Sequence, residues 1–358
     1  MNLSEKTISE TIEILKQKQK DFEETNLNIA LFGQPGAGKS SLINALIGEK
    51  KSAVGLETDK TVEENIYMHN GLNFIDLPGY GTEKFPKETY FDKFKILDKD
   101  LFLCVISGKL LSSDIELFEK LHKNNKVCIF VVNKADELWE DGVSEEELKD
   151  RKKSDVKKYT NENVEIVFTS CRTNDGILEL NLAIRNAISS ASEEKKTRWI
   201  LSTKAYSEKA LNDKKEKLEE LVTKYAGISA VNGINPIPGV NVAIDIATLL
   251  KLFKEIRESY GLTDNEISNL EKYAPSLSPL VNQALSKIVQ YSTKQGIIKL
   301  LSTFAGKIIT QNISKYIPFV GQAIASGIGF GITKLAGDQY VDDCHEVAKD
   351  LLIKTIKY

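Results

Sequence analysis

The chain has 358 residues, 41% hydrophobic and 28% charged, a globular composition that excludes a collagen-like repeat, a mostly disordered chain and a disulfide scaffold. Lysine and arginine number 48 against 51 acidic residues, a net charge of −3, so no global positive field recruits nucleic acid. The length suits two domains. Cys104, Cys128, Cys171 and Cys344 are widely spaced, lack zinc-site spacing and read as free thiols of a reducing cytosol.

In chain order, residues 1–25 place Ile8, Ile12, Leu15 and Phe22 at helical spacing among Lys and Glu. The pattern predicts an amphipathic helix, not a signal peptide. Asn2 stands where N-myristoylation needs glycine, so a cytoplasmic protein is expected. From 26 to 192 short apolar runs alternate with helical stretches. The runs are NIALF (28–32), LNFI (72–75), LFLCVI (101–106), VCIFVV (127–132) and VEIVF (164–168); the helical stretches are SSLINALIG (40–48), SDIELFEKLHKN (113–124), 144–159 and 177–188. Such alternation predicts an α/β fold: a doubly wound, mainly parallel sheet with helices on both faces. From 193 to 358 no strand pattern recurs. Residues 193–224 predict one charged helix, and apolar stretches at 226–253 and 296–337 complete an all-helical half.

Gly33-Gln34-Pro35-Gly36-Ala37-Gly38-Lys39-Ser40 fits the phosphate-binding pattern GxxxxGK[ST], between an apolar run and a helix. The glycines let backbone N–H groups curl around phosphate, and the helix N-terminus adds its positive end. Lys39 is expected to reach the β- and γ-phosphates and Ser40 to ligate Mg²⁺, with Ser41 in the same cradle. Asp76-Leu77-Pro78-Gly79 closes the run LNFI. There Asp76 can hold Mg²⁺ through water and the Gly79 N–H can meet the γ-phosphate.

Asn133-Lys134-Ala135-Asp136 closes VCIFVV and fits the guanine-reading NKxD. The Asp136 carboxylate can accept two N–H groups of guanine, a pair that adenine does not present. The Lys134 stem can lie along the base, and Asn133 can tie the loops together. Thr169-Ser170-Cys171 would offer backbone N–H to the guanine O6. Between the phosphate loop and Asp76 lies SAVGLETDKTVEEN (52–65), the expected first switch. Thr61, with Thr58 as its competitor, is expected to touch Mg²⁺ and the γ-phosphate. Lys39, Thr61 and Gly79 thus form the expected catalytic set. Tyr80 follows Gly79, where many GTPases carry a water-orienting glutamine, so hydrolysis is expected to be slow or completed by a partner or by self-association.

From Lys272 to Gly337 there is no Asp or Glu, and there are seven lysines. Within this tract YIPFVGQAIASGIGFGITKLAG (316–337) is too interrupted by polar residues and glycine for a membrane span. It reads either as a buried helical hairpin or as a cation-rimmed surface that contacts membranes.

The stretches GQPGAGKSSLINALIG, DLPGYGTEKFPKETYFDKFK, INPIPGVNVAIDIATLLKLF and YIPFVGQAIASGIGFGITKLA together resemble the interferon-inducible, immunity-related GTPases, or a microbial or divergent relative with the same architecture. The resemblance implies a Ras-like domain joined to a helical domain built from both chain termini, so residues 1–25 would pack with 193–358. It also implies GTP and GDP binding, self-association through the nucleotide face, and action at membranes in defence. The expectation is a Mg²⁺-dependent GTPase that hydrolyses GTP to GDP and phosphate. A GTP-dependent clamp with negligible hydrolysis is the alternative. A ribosome-assembly GTPase that binds RNA is a third reading, opposed by the lack of an RNA module.

Overall fold

A computed structural model describes residues 3–49, 64–160, 164–232, 246–272, 277–310 and 328–356. The chain separates into two units, Thr25–Lys204 and the combination of Met1–Glu24 with Ala205–Tyr358. Helix α1 (Leu3–Glu24) therefore belongs with the C-terminal part, and the chain then enters a sheet.

Strands β1 (Leu27–Phe32), β2 (Asn65–His69), β3 (Leu72–Asp76), β4 (Leu101–Ile106), β5 (Cys128–Asn133) and β6 (Glu165–Thr169) form one sheet in the order β2-β3-β1-β4-β5-β6. All neighbours pair in parallel except β2 and β3. Every residue of β4 and β5 is buried, as expected for apolar runs covered on both faces. The antiparallel edge strand β2 was not expected, because Ile66 and Met68 face solvent and no apolar run marks it. Its signal was the Asn70-Gly71 pair, whose φ values of 48° and 81° close the hairpin to β3.

Helices α2 (Lys39–Ile47), α3 (Lys87–Lys93), α4 (Ser112–Lys123), α5 (Glu145–Thr160), α6 (Ile177–Ala187) and α7 (Glu193–Ser202) complete this unit. The single charged helix expected over 193–224 is instead two, α7 and α8 (Glu208–Asn232). Moreover, the unit boundary falls after Lys204, not after residue 192. The reason is Trp199, fully buried and set edge-on to Phe74 of β3 at 6.4 Å. Its Nε1–H donates to Asn181 Oδ1 at 3.3 Å, and the Ser202 hydroxyl donates to the Asn70 carbonyl at 2.8 Å.

In the second unit α1 and α8 join α9 (Ile246–Ser259), α10 (Asp264–Lys272), α11 (Pro279–Tyr291), α12 (Lys294–Thr310) and α13 (Ile328–Ile356). Long α13 packs on α8, α11 and α12. Phe253 stacks on Tyr340 with ring centroids 4.2 Å apart. Glu23 of α1 meets Lys251 of α9 at 2.6 Å and accepts from the Tyr225 hydroxyl at 3.2 Å. Two of the seven lysines of the 272–337 tract are held by α13: Lys287 by Asp343 at 3.1 Å, and Lys334 by Asp338. Most of 316–337 lies outside the described residues, and among these no helix is long and apolar enough to cross a membrane.

Trp199→Ala should destabilise the sheet unit by about 3–5 kcal/mol, the cost of an unfilled aromatic site. Urea denaturation followed by circular dichroism reads this; a loss under ~1 kcal/mol would detach α7 from the unit's core.

Candidate functional site

The sheet register decides what meets what. Leu31 aligns with Asp76, Phe32 with Cys104, and Asn133 with Thr169. The loops after β1, β3, β4, β5 and β6 therefore emerge along one carboxyl edge. Strand order reverses between β1 and β4, the place where α/β sheets open a binding crevice.

The phosphate loop turns from β1 into α2 through left-handed backbone. Gly33 has φ 120°, and a Cβ there would lie 2.1 Å from the Val105 carbonyl oxygen. Gly38 has φ 91°, and a Cβ there would lie 2.3 Å from Asn133 Nδ2. Neither position accepts a side chain. Ser40 and Ser41 sit half-buried in the first turn of α2, whose leading N–H groups have no intrahelical acceptor.

Lys39 folds back over this loop. Its ammonium donates to the Gly33 carbonyl at 3.1 Å and the Gln34 carbonyl at 3.3 Å, and stands 3.7 Å from Asp76 Oδ1. That carboxylate oxygen is buried without a hydrogen-bond partner. Burial pushes the Asp76 carboxyl above its ordinary value, and Lys39 only partly offsets this. A buried acceptor short of donors, within 3.7 Å of the Lys39 ammonium at the start of α2, fits a hydrated hard cation such as Mg²⁺.

On the base side one amide joins three loops. Asn133 Nδ2 donates to the Ala37 carbonyl at 2.8 Å, while Asn133 Oδ1 accepts from the Thr169 hydroxyl at 3.1 Å and the Cys171 thiol at 3.4 Å. Burial pushes the Cys171 thiol up to about 11, so it stays protonated at neutral pH. Lys134 adopts φ 60° and turns the chain into the short 3₁₀ turn that carries Asp136. The buried Ser170 hydroxyl, and beside it Arg172, hold the Asp136 carboxyl below its ordinary pKa.

Gly79 is exposed, whereas Tyr80 turns inward. The Tyr80 ring is 5% exposed and packs edge-on against Tyr90 at 5.0 Å, in the apolar cluster between α3 and α4. Thr58 and Thr61 lie outside the described residues.

Two side chains escaped the sequence reading. Arg172 directly follows Cys171, and its basic character was the available signal. Asp114 lies in the first turn of α4 and looked like an ordinary helix-start acid. It is 7% exposed, its Oδ2 is buried without a hydrogen-bond partner, and burial pushes its carboxyl up to about 6 against the pull of Lys39.

A family model described as "Interferon-inducible GTPase (IIGP)" matches residues 1–317. Interferon-gamma-inducible GTPase 10 of Mus musculus is 25% identical, covering 99% of this chain and 87% of that protein. Interferon-inducible GTPase 5 of Bos taurus is 26% identical, covering 93% of this chain and 76% of that protein. A crystal structure of Toc33 from Arabidopsis thaliana in complex with Mg²⁺ and GMPPNP is 17% identical and covers 52% of this chain and 93% of its own, with a TM-score of 0.37.

A carboxyl whose folded pKa lies near 6, against an ordinary 3.8, costs stability in full above pH 6, and the cost fades as pH falls toward 3.8. Asp114→Asn should therefore stabilise the sheet unit by about 1–3 kcal/mol near pH 7.5, and by almost nothing near pH 4. Calorimetric melts at both pH values check the slope; an equal effect at the two would sink the assignment.

Proposed function

The chain belongs to the interferon-inducible GTPase family and is a GTPase, and on that premise we propose that it hydrolyses GTP with Mg²⁺ and self-assembles through its nucleotide face. The observation that carries the site assignment is the Asn133 amide. It pins the phosphate loop to the base-reading loop, so both halves of one nucleotide site share a buried hydrogen-bond junction.

In this reading the Lys39 ammonium exchanges the Gly33 and Gln34 carbonyls for β- and γ-phosphate oxygens. Backbone N–H groups of Gly36, Ala37 and Gly38, with those opening α2, wrap the phosphates. Ser40 and Asp76, joined by Thr61 of the first switch, would hold Mg²⁺. When bound, the ion supplies charge neutralisation to the phosphate oxygens. The exposed Gly79 N–H meets the γ-phosphate, and Asp136 reads the guanine edge, its carboxylate steadied by Ser170.

Self-assembly is supported by Tyr80. Its ring is locked into the apolar cluster and has no amide to orient water, and in this reading a group from a second copy completes the hydrolytic geometry. GTP turnover per molecule should then climb with protein concentration. It should vanish in Lys39→Ala and on chelation of Mg²⁺, with ATP left untouched. A flat, low rate alongside tight GTP binding would favour the clamp reading over assembly.

A peripheral membrane contact rests on the acid-free tract from Lys272 to Gly337. The α13 ion pairs withdraw Lys287 and Lys334 from it, and among the described side chains Lys272, Lys294 and Lys299 are exposed. Co-sedimentation with phosphatidylserine vesicles should retain the protein at low salt and release it at high salt; no pelleting with either GTP or GDP would remove the contact.

A further inference from the structure

Asp136 already has a cation from its own chain. Arg172 Nη2 lies 2.5 Å from Asp136 Oδ2; the arginine side chain is 75% exposed and the aspartate side chain 13% exposed. The two partners come from different loops, those following β6 and β5. The chemistry of the pair is specific. A guanidinium is a planar carbon flanked by N–H donors, and the N1–H and exocyclic N–H edge of guanine is the same array built into a ring.

We propose that Arg172 is an intramolecular competitor for the guanine edge. Its guanidinium occupies the carboxylate that reads the base, and the pair has to open before guanine docks. The inference rests on the reading of Asp136 as the guanine acceptor. Because the arginine end is solvated, the pair is weak enough to open readily. Apparent affinity is then the intrinsic affinity scaled by the fraction of molecules with the pair open. The same contact acts in reverse as nucleotide leaves: Arg172 returns to the carboxylate and keeps it from recapturing the base. Arg172 is a specificity-site gate, not a catalytic residue.

The test uses the full chain and a fluorescent N-methylanthraniloyl GDP, titrated at equilibrium and mixed by stopped flow. Arg172→Ala should tighten GDP binding about two- to fivefold, through faster association. A second background separates competition from general charge effects. Asp136→Asn exchanges the carboxylate for a neutral amide, which loses the charge that holds the guanidinium and donates to the C2 carbonyl of xanthine. There, Arg172→Ala should leave the affinity for the labelled xanthosine diphosphate unchanged.

Weaker or unchanged GDP binding in Arg172→Ala would overturn the proposal, as would an equal gain in both backgrounds. In those cases the wild type still binds GDP and the guanine reading stands. A folded wild type that fails to bind GDP would overturn the guanine reading itself, and the gate with it.

Discussion

A buried side-chain amide has to find a partner for its donor and its acceptor, since leaving either unmade costs more than the bond contributes. Asn133 finds those partners on the phosphate loop and on the loop after β6. This single requirement fixes the distance between the loop after β1 and the loops after β5 and β6. It also explains why Gly38 is glycine, because a side chain there would occupy the space of the Asn133 amide. The tight packing of Gly33 against β4 supplies the other wall. The crevice is therefore positioned by the sheet, and its loops have little freedom to drift apart.

Two charged side chains of the site already have partners within the chain. Lys39 rests on two carbonyls of its own loop, and Asp136 rests on Ser170 and Arg172. A ligand entering such a site exchanges hydrogen bonds and does not simply add them, so its net gain is the difference between two satisfied states. Asp76 and Asp114 differ. Each keeps a carboxylate oxygen buried without a hydrogen-bond partner, and burial raises both acids.

Much of the sheet unit was legible because its signals are local. Five apolar runs became β1, β3, β4, β5 and β6, and each chemical motif sits where such a run ends. What escaped depends on residues distant in sequence. Strand β2 has no apolar face of its own and exists by pairing with β3 across the Asn70-Gly71 turn. The charged stretch after residue 192 hid Trp199, whose burial against Phe74 pulls α7 onto the sheet. The inward turn of Tyr80 depends on Tyr90 and on its shared cluster with residues of α3 and α4. Periodicity gives no indication of either, because both are settled by packing partners far along the chain.

The helical unit draws its first helix from one end of the sequence and its remaining helices from the other. Glu23 and Lys251, which join α1 to α9, lie 228 residues apart. At ordinary elongation speeds of about 5–20 residues per second, α1 leaves the ribosome roughly 10–45 s before that partner exists. The sheet unit, Thr25–Lys204, is synthesised in full within that interval. Until α8 and α9 follow, Leu15 and Phe22, both buried in the finished unit, remain open to solvent. The nascent chain thus carries the whole sheet unit and a helix still without its partners, and chaperone capture would act on that helix.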